Sequence, residues 1–430
     1  MNREILRLAI PNIISNVSVP LLSTVDTALM GRMSELHIGA VGIGSMIFNF
    51  VYWNFGFLRM GTTGLTAQAF GKKDDSGIVN TFGRAVLVVL VVAATILLLQ
   101  FPIGELSLFL MNTDEQQGAL VSEYFYIRVW AAPATLASYA IMGWFFGMQN
   151  AIYPLILTVV VNVVNIVMSF LLVYQMGMDV DGVAYGTLIA QYVGLFLGVY
   201  LIYRKYRSLF VQFKRAAILK WEELKRFLQL NGDIFIRTFC ITFVFAFFYS
   251  RSSAEGEMIL AVNTILMQFF TWMSYGVDGF AFASESLVGK YAGAGNKAKT
   301  NQAIKLIFFW GMGMAGAFAL AYGLFGDHFL RLFTNQQDVI NAAAPFLIWM
   351  VLFPLLSTPC FLWDGVFIGL TASKAMRNSM ILALVVFIVT YYSMNTVWDN
   401  HGLWLAMLVF MLARGVFQHY LYWRRGMNLA

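Results

Sequence analysis

Residues 83–103 read GRAVLVVLVVAATILLLQFPI, an apolar run of about twenty residues with a single charged side chain near its start. A helix needs about 20 consecutive apolar residues to cross the hydrocarbon core of a bilayer, and this run meets that length. Residues 158–174, TVVVNVVNIVMSFLLVY, form a similar continuous run. Strands of an outer-membrane barrel would instead alternate apolar and polar residues in shorter segments. The two runs therefore predict membrane-spanning α-helices.

The composition of the whole chain agrees with a membrane protein. Of its 430 residues, 60% are hydrophobic and 12% are charged, whereas a soluble domain is about half apolar and roughly a quarter charged. These values exclude a cytoplasmic enzyme, a secreted disulfide scaffold, a nucleic-acid-binding domain and a disordered chain. The only cysteines, Cys240 and Cys360, lie in apolar runs without a metal-ligand spacing. We therefore expect no cofactor and no nucleic-acid partner.

Similar apolar runs recur along the chain and predict twelve membrane spans. They lie at residues 4–30, 38–70, 83–104, 120–148, 154–176, 181–203, 228–250, 257–288, 303–325, 339–370, 376–396 and 401–423. An even number of spans places both termini on one side. The loops on that side hold most of the 28 Lys and Arg residues, whereas the opposite loops hold Arg32, Arg251 and Arg331. Because positively charged loops stay in the cytoplasm, both termini are predicted to be cytoplasmic.

The second half of the chain repeats the first at a nearly constant offset of 222 residues, so that Gly143 and Gly147 fall on Gly365 and Gly369. The repeat predicts an N-terminal six-helix lobe (1–203), a cytoplasmic linker (204–226) and a C-terminal six-helix lobe (227–430). Because six is an even number, both lobes enter the membrane from the same side and the repeats are parallel. Some transporters have this arrangement, with the substrate path between the two halves. The predicted fold class is all-α and integral to the membrane, with the two lobes around a central cleft. A monomer is sufficient for this plan.

Polar side chains inside the first lobe's spans mark a candidate ion site. Such residues are costly in the bilayer and are functional candidates by default. They share helix faces by their spacing of three, four or seven residues: Asn12, Asn16, Ser23 and Asp26 in the first span, Asn162, Asn165 and Ser169 in the fifth, and Thr187 and Gln191 in the sixth. Their oxygens suit a small hard cation. Interhelical hydrogen bonding is the structural alternative.

Charged residues in the second lobe are the other candidates. Asp233 and Arg237 are four residues apart and predict an ion pair within the seventh span. Asp278 shares a face of the eighth span with Glu285, and Asp364 has no basic neighbour nearby in sequence. Asp278 and Asp364 could each line a cavity or serve a structural role. In the first lobe, Met30 is a candidate for an adaptable apolar cavity wall, since methionine fills irregular space.

Several stretches together resemble the multidrug and toxic compound extrusion (MATE) family, most of all its DNA-damage-inducible F (DinF) branch. They include LRLAIPNIISNVSVPLLSTVDTALMGRM at the start, FGFLRMGTTGLTAQAFG in the second span and YGVDGFAFASESLVGKYAGAGN in the eighth. The resemblance covers essentially the whole chain in order. It implies a twelve-helix exporter of cationic and amphipathic drugs, driven by protons or sodium, in a bacterial cytoplasmic membrane.

The resemblance also implies roles for individual residues. Asp26 matches the coupling carboxylate of the DinF branch, and Asn165 and Thr187 match residues of the same site, which would also be the place for sodium. Ser169 stands where the family often has a second aspartate, which favours protons over sodium. Asp364 matches an aspartate implicated in cation binding in the sister NorM branch.

The predicted function is a cation-coupled, most simply proton-coupled, multidrug efflux antiporter that works by alternating access. The alternative is a lipid-linked precursor flippase of the related exporter superfamily, which would need a strongly cationic cavity for pyrophosphate. Arg59, Arg128 and Arg237 are the arginines available for it, but they are not clustered in sequence. An intramembrane enzyme is disfavoured because no span places a histidine with a carboxylate. A channel is disfavoured because a twelve-span repeat is a carrier plan.

Overall fold

The computed structural model of the chain describes residues 1–30, 34–111 and 113–426, without the side chains of residues 19–30, 35, 395 and 396. Within these ranges the regular structure is helical and no strand occurs. The all-α membrane fold class is therefore confirmed. The helices are α1 (Asn2–Met30), α2 (Glu35–Asn54), α3 (Phe57–Lys72), α4 (Asp75–Leu98), α5 (Gln100–Met111), α6 (Glu115–Arg128), α7 (Ala132–Gly147), α8 (Ile152–Phe170), α9 (Val180–Tyr206), α10 (Arg215–Ile218), α11 (Trp221–Ala254), α12 (Glu257–Gly293), α13 (Lys297–Phe333), α14 (Gln337–Ala343), α15 (Leu347–Gly369) and α16 (Ser373–Arg425).

Eleven helical segments in the described part of the chain are long and apolar enough to cross a membrane. They coincide with the second to twelfth predicted spans, and α1 occupies the place of the first. Two of the segments come from α16, whose backbone turns at Asp399 (φ 45°, ψ −129°). The predicted third span, 83–104, was wrong at its end. Helix α4 ends at Leu98 and α5 begins at Gln100, because Pro102 lacks the amide hydrogen that a helix interior needs but fits a first turn.

The helix ends repeat between the two halves of the chain. Asp74 caps α4 by accepting a hydrogen bond from the Gly77 amide at 2.8 Å, and Asn296 caps α13 by accepting one from the Lys299 amide at 3.0 Å. Both pairs are 222 residues apart, as positions 74 and 296 show. A short side-chain oxygen at this position satisfies an amide that the first turn leaves unpaired. The repeat seen in the sequence therefore extends to the local structure that starts each helix.

Helix contacts repeat at the same offset. A Cβ added to Gly143 on α7 would stand 2.3 Å from the carbonyl oxygen of Arg59 on α3. A Cβ added to Gly365 on α15 would stand 2.3 Å from the carbonyl oxygen of Ala281 on α12. Positions 59 and 281, like 143 and 365, differ by 222. Small residues let membrane helices approach closely, so equivalent helix pairs pack through equivalent glycines.

The chain forms two compact units. The N-terminal unit comprises Ile14–Leu228, and the C-terminal unit comprises Met1–Ile13 together with Gln229–Ala430. Helix α1 therefore contributes its first half to one unit and its second half to the other. This division differs from the predicted lobe of residues 1–203, in which α1 was assigned whole. Asn12 and Asn16, predicted to share a face of α1, belong to different units.

Candidate functional site

Two helices of the N-terminal unit bring the predicted fifth- and sixth-span residues together. The Nδ2 atom of Asn165 on α8 donates a hydrogen bond to the Thr187 hydroxyl on α9 at 2.9 Å. The Thr187 hydroxyl donates in turn to the carbonyl oxygen of Val183 at 3.1 Å. Both side chains are buried, at 2% and 6% exposed. The pair thus joins α8 to α9 through a fully buried polar contact.

Beside this contact, two buried side-chain oxygen atoms have no hydrogen-bond partner in the described part of the chain. They are Oδ1 of Asn165 and Oγ of Ser169, one turn further along α8. Ser169 is completely buried and packs against Gly186 on α9, where an added Cβ would stand 2.4 Å from Oγ. Buried polar atoms are normally satisfied. These two oxygens are therefore suited to accept from a proton-bearing group or to contact a small cation.

The polar face of α8 continues onto α1. The Ser15 hydroxyl donates to Oγ1 of Thr158 at 2.9 Å, and Nδ2 of Asn162 contacts Oγ of Ser18 at 3.2 Å. The interpretation of the sequence missed Ser15, Ser18 and Thr158. Thr158 lies four residues before Asn162, so extending the α8 stripe by one turn would have found it. Two polar contacts about one helical turn apart thus link α1 to α8.

Of the other residues predicted for the ion site and cavity of the first lobe, only some have described side chains. Asn16 and Gln191 are half-buried. Asp26, Ser23 and Met30 belong to α1, which extends to Met30, but their side chains lie outside the described residues. Asp26 follows Ser18 by two helical turns on the same helix. Its role as the coupling carboxylate stays a prediction.

In the C-terminal unit, four polar side chains from three helices form a buried network. The Asp364 carboxylate on α15 accepts hydrogen bonds from Arg237 on α11, from Nη2 of Arg414 on α16 at 2.6 Å, and from Nε2 of Gln418 at 2.6 Å. Asp364 is 5% exposed and Arg414 is 1% exposed. Asp278 on α12 is half-buried. Asp364 has no basic neighbour in sequence, but the fold supplies it with two.

The predicted pair of Asp233 with Arg237 was wrong. Asp233 pairs with Arg377 at 2.5 Å and accepts a hydrogen bond from Ser373 at 2.9 Å, whereas Arg237 pairs with Asp364. An i,i+4 pair stabilises a helix by about 0.2–0.5 kcal/mol. A buried carboxylate without a partner costs about 3–5 kcal/mol. The i,i+4 preference is therefore small beside the energies of buried ion pairs, and helix packing places Arg377 beside Asp233 and Arg237 beside Asp364.

The arginines considered for a pyrophosphate site have partners of their own. Arg128 donates to the Tyr124 hydroxyl and to Oγ of Ser45 at 3.3 Å, and its guanidinium lies 5.1 Å from the centre of the Phe48 ring. Arg59 lies 5.9 Å from the centre of the Phe146 ring. Arg237 is neutralised by Asp364. These contacts do not favour the flippase alternative.

Comparison with known proteins identifies the family. The MatE family profile matches residues 11–171 and matches again over residues 234–393. The chain belongs to the MatE family. The two matches begin 223 residues apart, as positions 11 and 234 show, so each half of this MatE protein corresponds to the same profile. The family resemblance inferred from the sequence is confirmed.

Individual relatives agree with this assignment. The MatE protein is 36% identical over 419 residues to DNA damage-inducible protein F of Escherichia coli (strain K12), covering 96% of this chain and 90% of that protein. It is 24% identical to the probable multidrug resistance protein NorM of Bacillus cereus over 95% of this chain and 91% of that one. A MOP superfamily transporter from Pyrococcus furiosus has the same fold, with a TM-score of 0.87 at 18% identity, covering 99% of this chain and 95% of that one.

Proposed function

We propose that this MatE protein is a multidrug efflux antiporter that exports cationic or amphipathic organic compounds by alternating access, in exchange for protons. The observation that carries the proposal is the polar seam of the N-terminal unit, which we define as Ser15, Ser18, Thr158, Asn162, Asn165, Ser169 and Thr187. Polar side chains packed together inside membrane helices are expensive and mark ion and substrate pathways. The name of the B. cereus relative, a probable multidrug resistance protein, supports drug export.

Asp26 is the proposed proton carrier. It belongs to α1, the helix whose earlier turns form the seam with α8. A carboxylate in a low-dielectric site binds a proton more readily than it does in water. Protonation from outside would then disfavour the drug-bound state and release the drug, and deprotonation towards the cytoplasm would restore affinity. Such coupling requires that the two states differ in their affinity for both ligands.

The composition of the seam favours a proton over sodium. A hard cation needs several oxygen ligands, preferably with more than one negative charge. Thr187 already donates to Val183 and accepts from Asn165. Ser169, where the family often has an aspartate, brings no charge. A sodium site at Asp26, Asn165 and Thr187 is the second form of the proposal, and the experiment below separates the two.

We propose that the protein lies in the bacterial cytoplasmic membrane with both termini in the cytoplasm, because most of its Lys and Arg residues occur in the loops on that side. It would work as a monomer, without a cofactor, enzymatic activity or a nucleic-acid partner. Small-molecule drugs and the lipid bilayer are its expected ligands.

The test measures ethidium efflux from proteoliposomes with proton and sodium gradients imposed separately. The variants are Asp26→Asn and, as a matched control, Asp327→Asn, which changes an exposed carboxylate on α13. We expect a proton gradient alone to drive efflux, the Asp26 variant to lose it and the control to retain it. Wild-type efflux by Asp26→Asn would refute the mechanism, and efflux driven by sodium alone would establish the sodium form.

A further inference from the structure

A basic and aromatic cavity of about 760 Å³ opens in the C-terminal unit where α13 begins and α16 ends. Lys297 and Lys305 on α13 and Arg425 on α16 line it, and none of its lining residues in the described ranges is acidic. The three cations make no ion pair within the described part of the chain. A cluster of unpaired positive charges at one end of a helix bundle attracts anions. We refer to this cavity as the basic pocket.

The inner wall of the basic pocket is aromatic. Trp363 is 4% exposed, and its ring centre lies 5.1 Å from that of Phe308, 5.1 Å from that of Tyr422 and 5.4 Å from that of His419. The Tyr422 hydroxyl donates to Oδ1 of Asn301 at 2.6 Å. Rings with polar atoms prefer the headgroup level of a membrane, where one end is apolar and the other wet. The pocket therefore has the chemistry of the bilayer interface.

An apolar groove of about 970 Å³ continues from the basic pocket. Lys305 and Phe308 line both cavities. Beyond them, the groove is lined by Met312, Gly313 and Ala317 on α13 and by Leu6, Ile10 and Ile13 on α1. From Lys305 to Ala317 a helix rises about 18 Å, close to the roughly 15 Å of hydrocarbon in one leaflet. The groove thus has the length of an acyl chain.

We propose that the basic pocket and the apolar groove bind one anionic phospholipid, with its phosphate-bearing headgroup among Lys297, Lys305 and Arg425 and an acyl chain along α13. Charge complementarity and the shared lining residues support this assignment, because they put a cationic headgroup site at one end of a chain-length apolar groove. Basic pockets between membrane helices recognise anionic headgroups in this way. With the proposed orientation, the lipid comes from the cytoplasmic leaflet.

The first test compares lipid retention by native mass spectrometry of the full-length protein in detergent. Phosphatidylglycerol and phosphatidylethanolamine with identical acyl chains are titrated against wild type, Lys305→Gln and Lys299→Gln. Lys299 is an exposed lysine in the first turns of α13 that does not line the pocket, which makes it the matched control. We expect wild type to prefer phosphatidylglycerol, Lys305→Gln to bind it about fivefold more weakly, and Lys299→Gln to behave as wild type. Equal affinities for the two lipids, or equal losses in both variants, would overturn the proposal.

The second test fills the groove without altering charge. Gly313 lines the groove and an added Cβ would meet nothing within 4 Å, so Gly313→Leu starts its side chain in open space and extends it into the groove. Gly316 is equally open but does not line the groove, and Gly316→Leu is its control. We expect only the first variant to lose bound phosphatidylglycerol. Retention of phosphatidylglycerol by Gly313→Leu would refute the placement of the acyl chain in the groove. Displacement of the lipid by millimolar inorganic phosphate would show that the pocket holds a free anion and would refute the lipid assignment.

Discussion

The Arg237 guanidinium on α11 binds the Asp364 carboxylate on α15, across 127 residues of sequence. Arg414 binds the same carboxylate oxygen from α16 at 2.6 Å, so one buried acid joins three helices of the C-terminal unit. A carboxylate flanked by two guanidinium groups repels an additional cation. We therefore expect Asp364 to act mainly as a structural junction in this protein.

Replacing the junction acid should reduce stability strongly. Asp364→Asn leaves two buried guanidinium groups without a counter-charge, a loss of about 3–5 kcal/mol. Thermal unfolding in detergent should show a large decrease in Tm, and the double variant Arg237→Gln with Asp364→Asn should recover part of it. If Asp364→Asn keeps the wild-type Tm but abolishes efflux, the acid belongs to the transport site instead.

The repeated glycine contacts predict a matched pair of packing defects. Gly143→Ala and Gly365→Ala would each place a Cβ 2.3 Å from a backbone carbonyl oxygen, which only a separation of the helices can relieve. We expect each to destabilise the protein by about 1–3 kcal/mol. Gly42→Ala and Gly232→Ala are the controls, because an added Cβ meets nothing within 4 Å there. Equal Tm values for tests and controls would contradict the close packing.

The left-handed backbone that follows α3 and α12 predicts that one substitution will stabilise the protein. Lys73 has a left-handed backbone (φ 58°), and its counterpart in the repeat is Gly295 (φ 69°). This conformation costs a residue with a Cβ about 1–2 kcal/mol more than it costs glycine. Lys73→Gly should raise Tm, and Gly295→Lys should lower it. The control is Lys72→Gly, at the last helical residue of α3, which should lower Tm. A higher Tm in both lysine variants would instead show that removal of the positive charge is the cause.

The buried hydrogen bond of the seam predicts a difference between two substitutions of one residue. Thr187→Val keeps the shape of the side chain but leaves Nδ2 of Asn165 without its acceptor, which should cost about 1 kcal/mol and slow proton-driven efflux. Thr187→Ser retains the hydroxyl and should behave nearly as wild type in both Tm and efflux assays. Normal efflux by the valine variant would exclude this contact from the transport cycle.

Much of the fold was predictable from the sequence because each feature has a local cause. The apolar runs predicted eleven of the segments that are long enough to span, since only helices satisfy the backbone inside a bilayer. The spacing of polar residues on α8 and α9 also indicated Asn165 and Thr187 as candidates for one ion site. The end of α4 was missed because Pro102 lies within an apolar run and the run was extended through it.

The ion-pair partners of the charged residues could not be predicted from sequence spacing. The spacing of Asp233 and Arg237 indicates a pair, yet each binds a residue more than a hundred positions away. Ser15 and Thr158 likewise meet across 143 residues. Local spacing shows which residues share a helix face, but it does not show which face of another helix packs against it.

The sequence by itself determined the membrane spans, the repeat and the membership in the MatE family, because hydrophobic length and internal similarity are properties of the chain. Tertiary structure alone decided that Arg237 and Arg414 serve Asp364 and that α1 is divided between the two units. The physical reason is desolvation: a buried charge must find its counter-charge wherever helix packing brings one, and that position is not encoded in neighbouring residues.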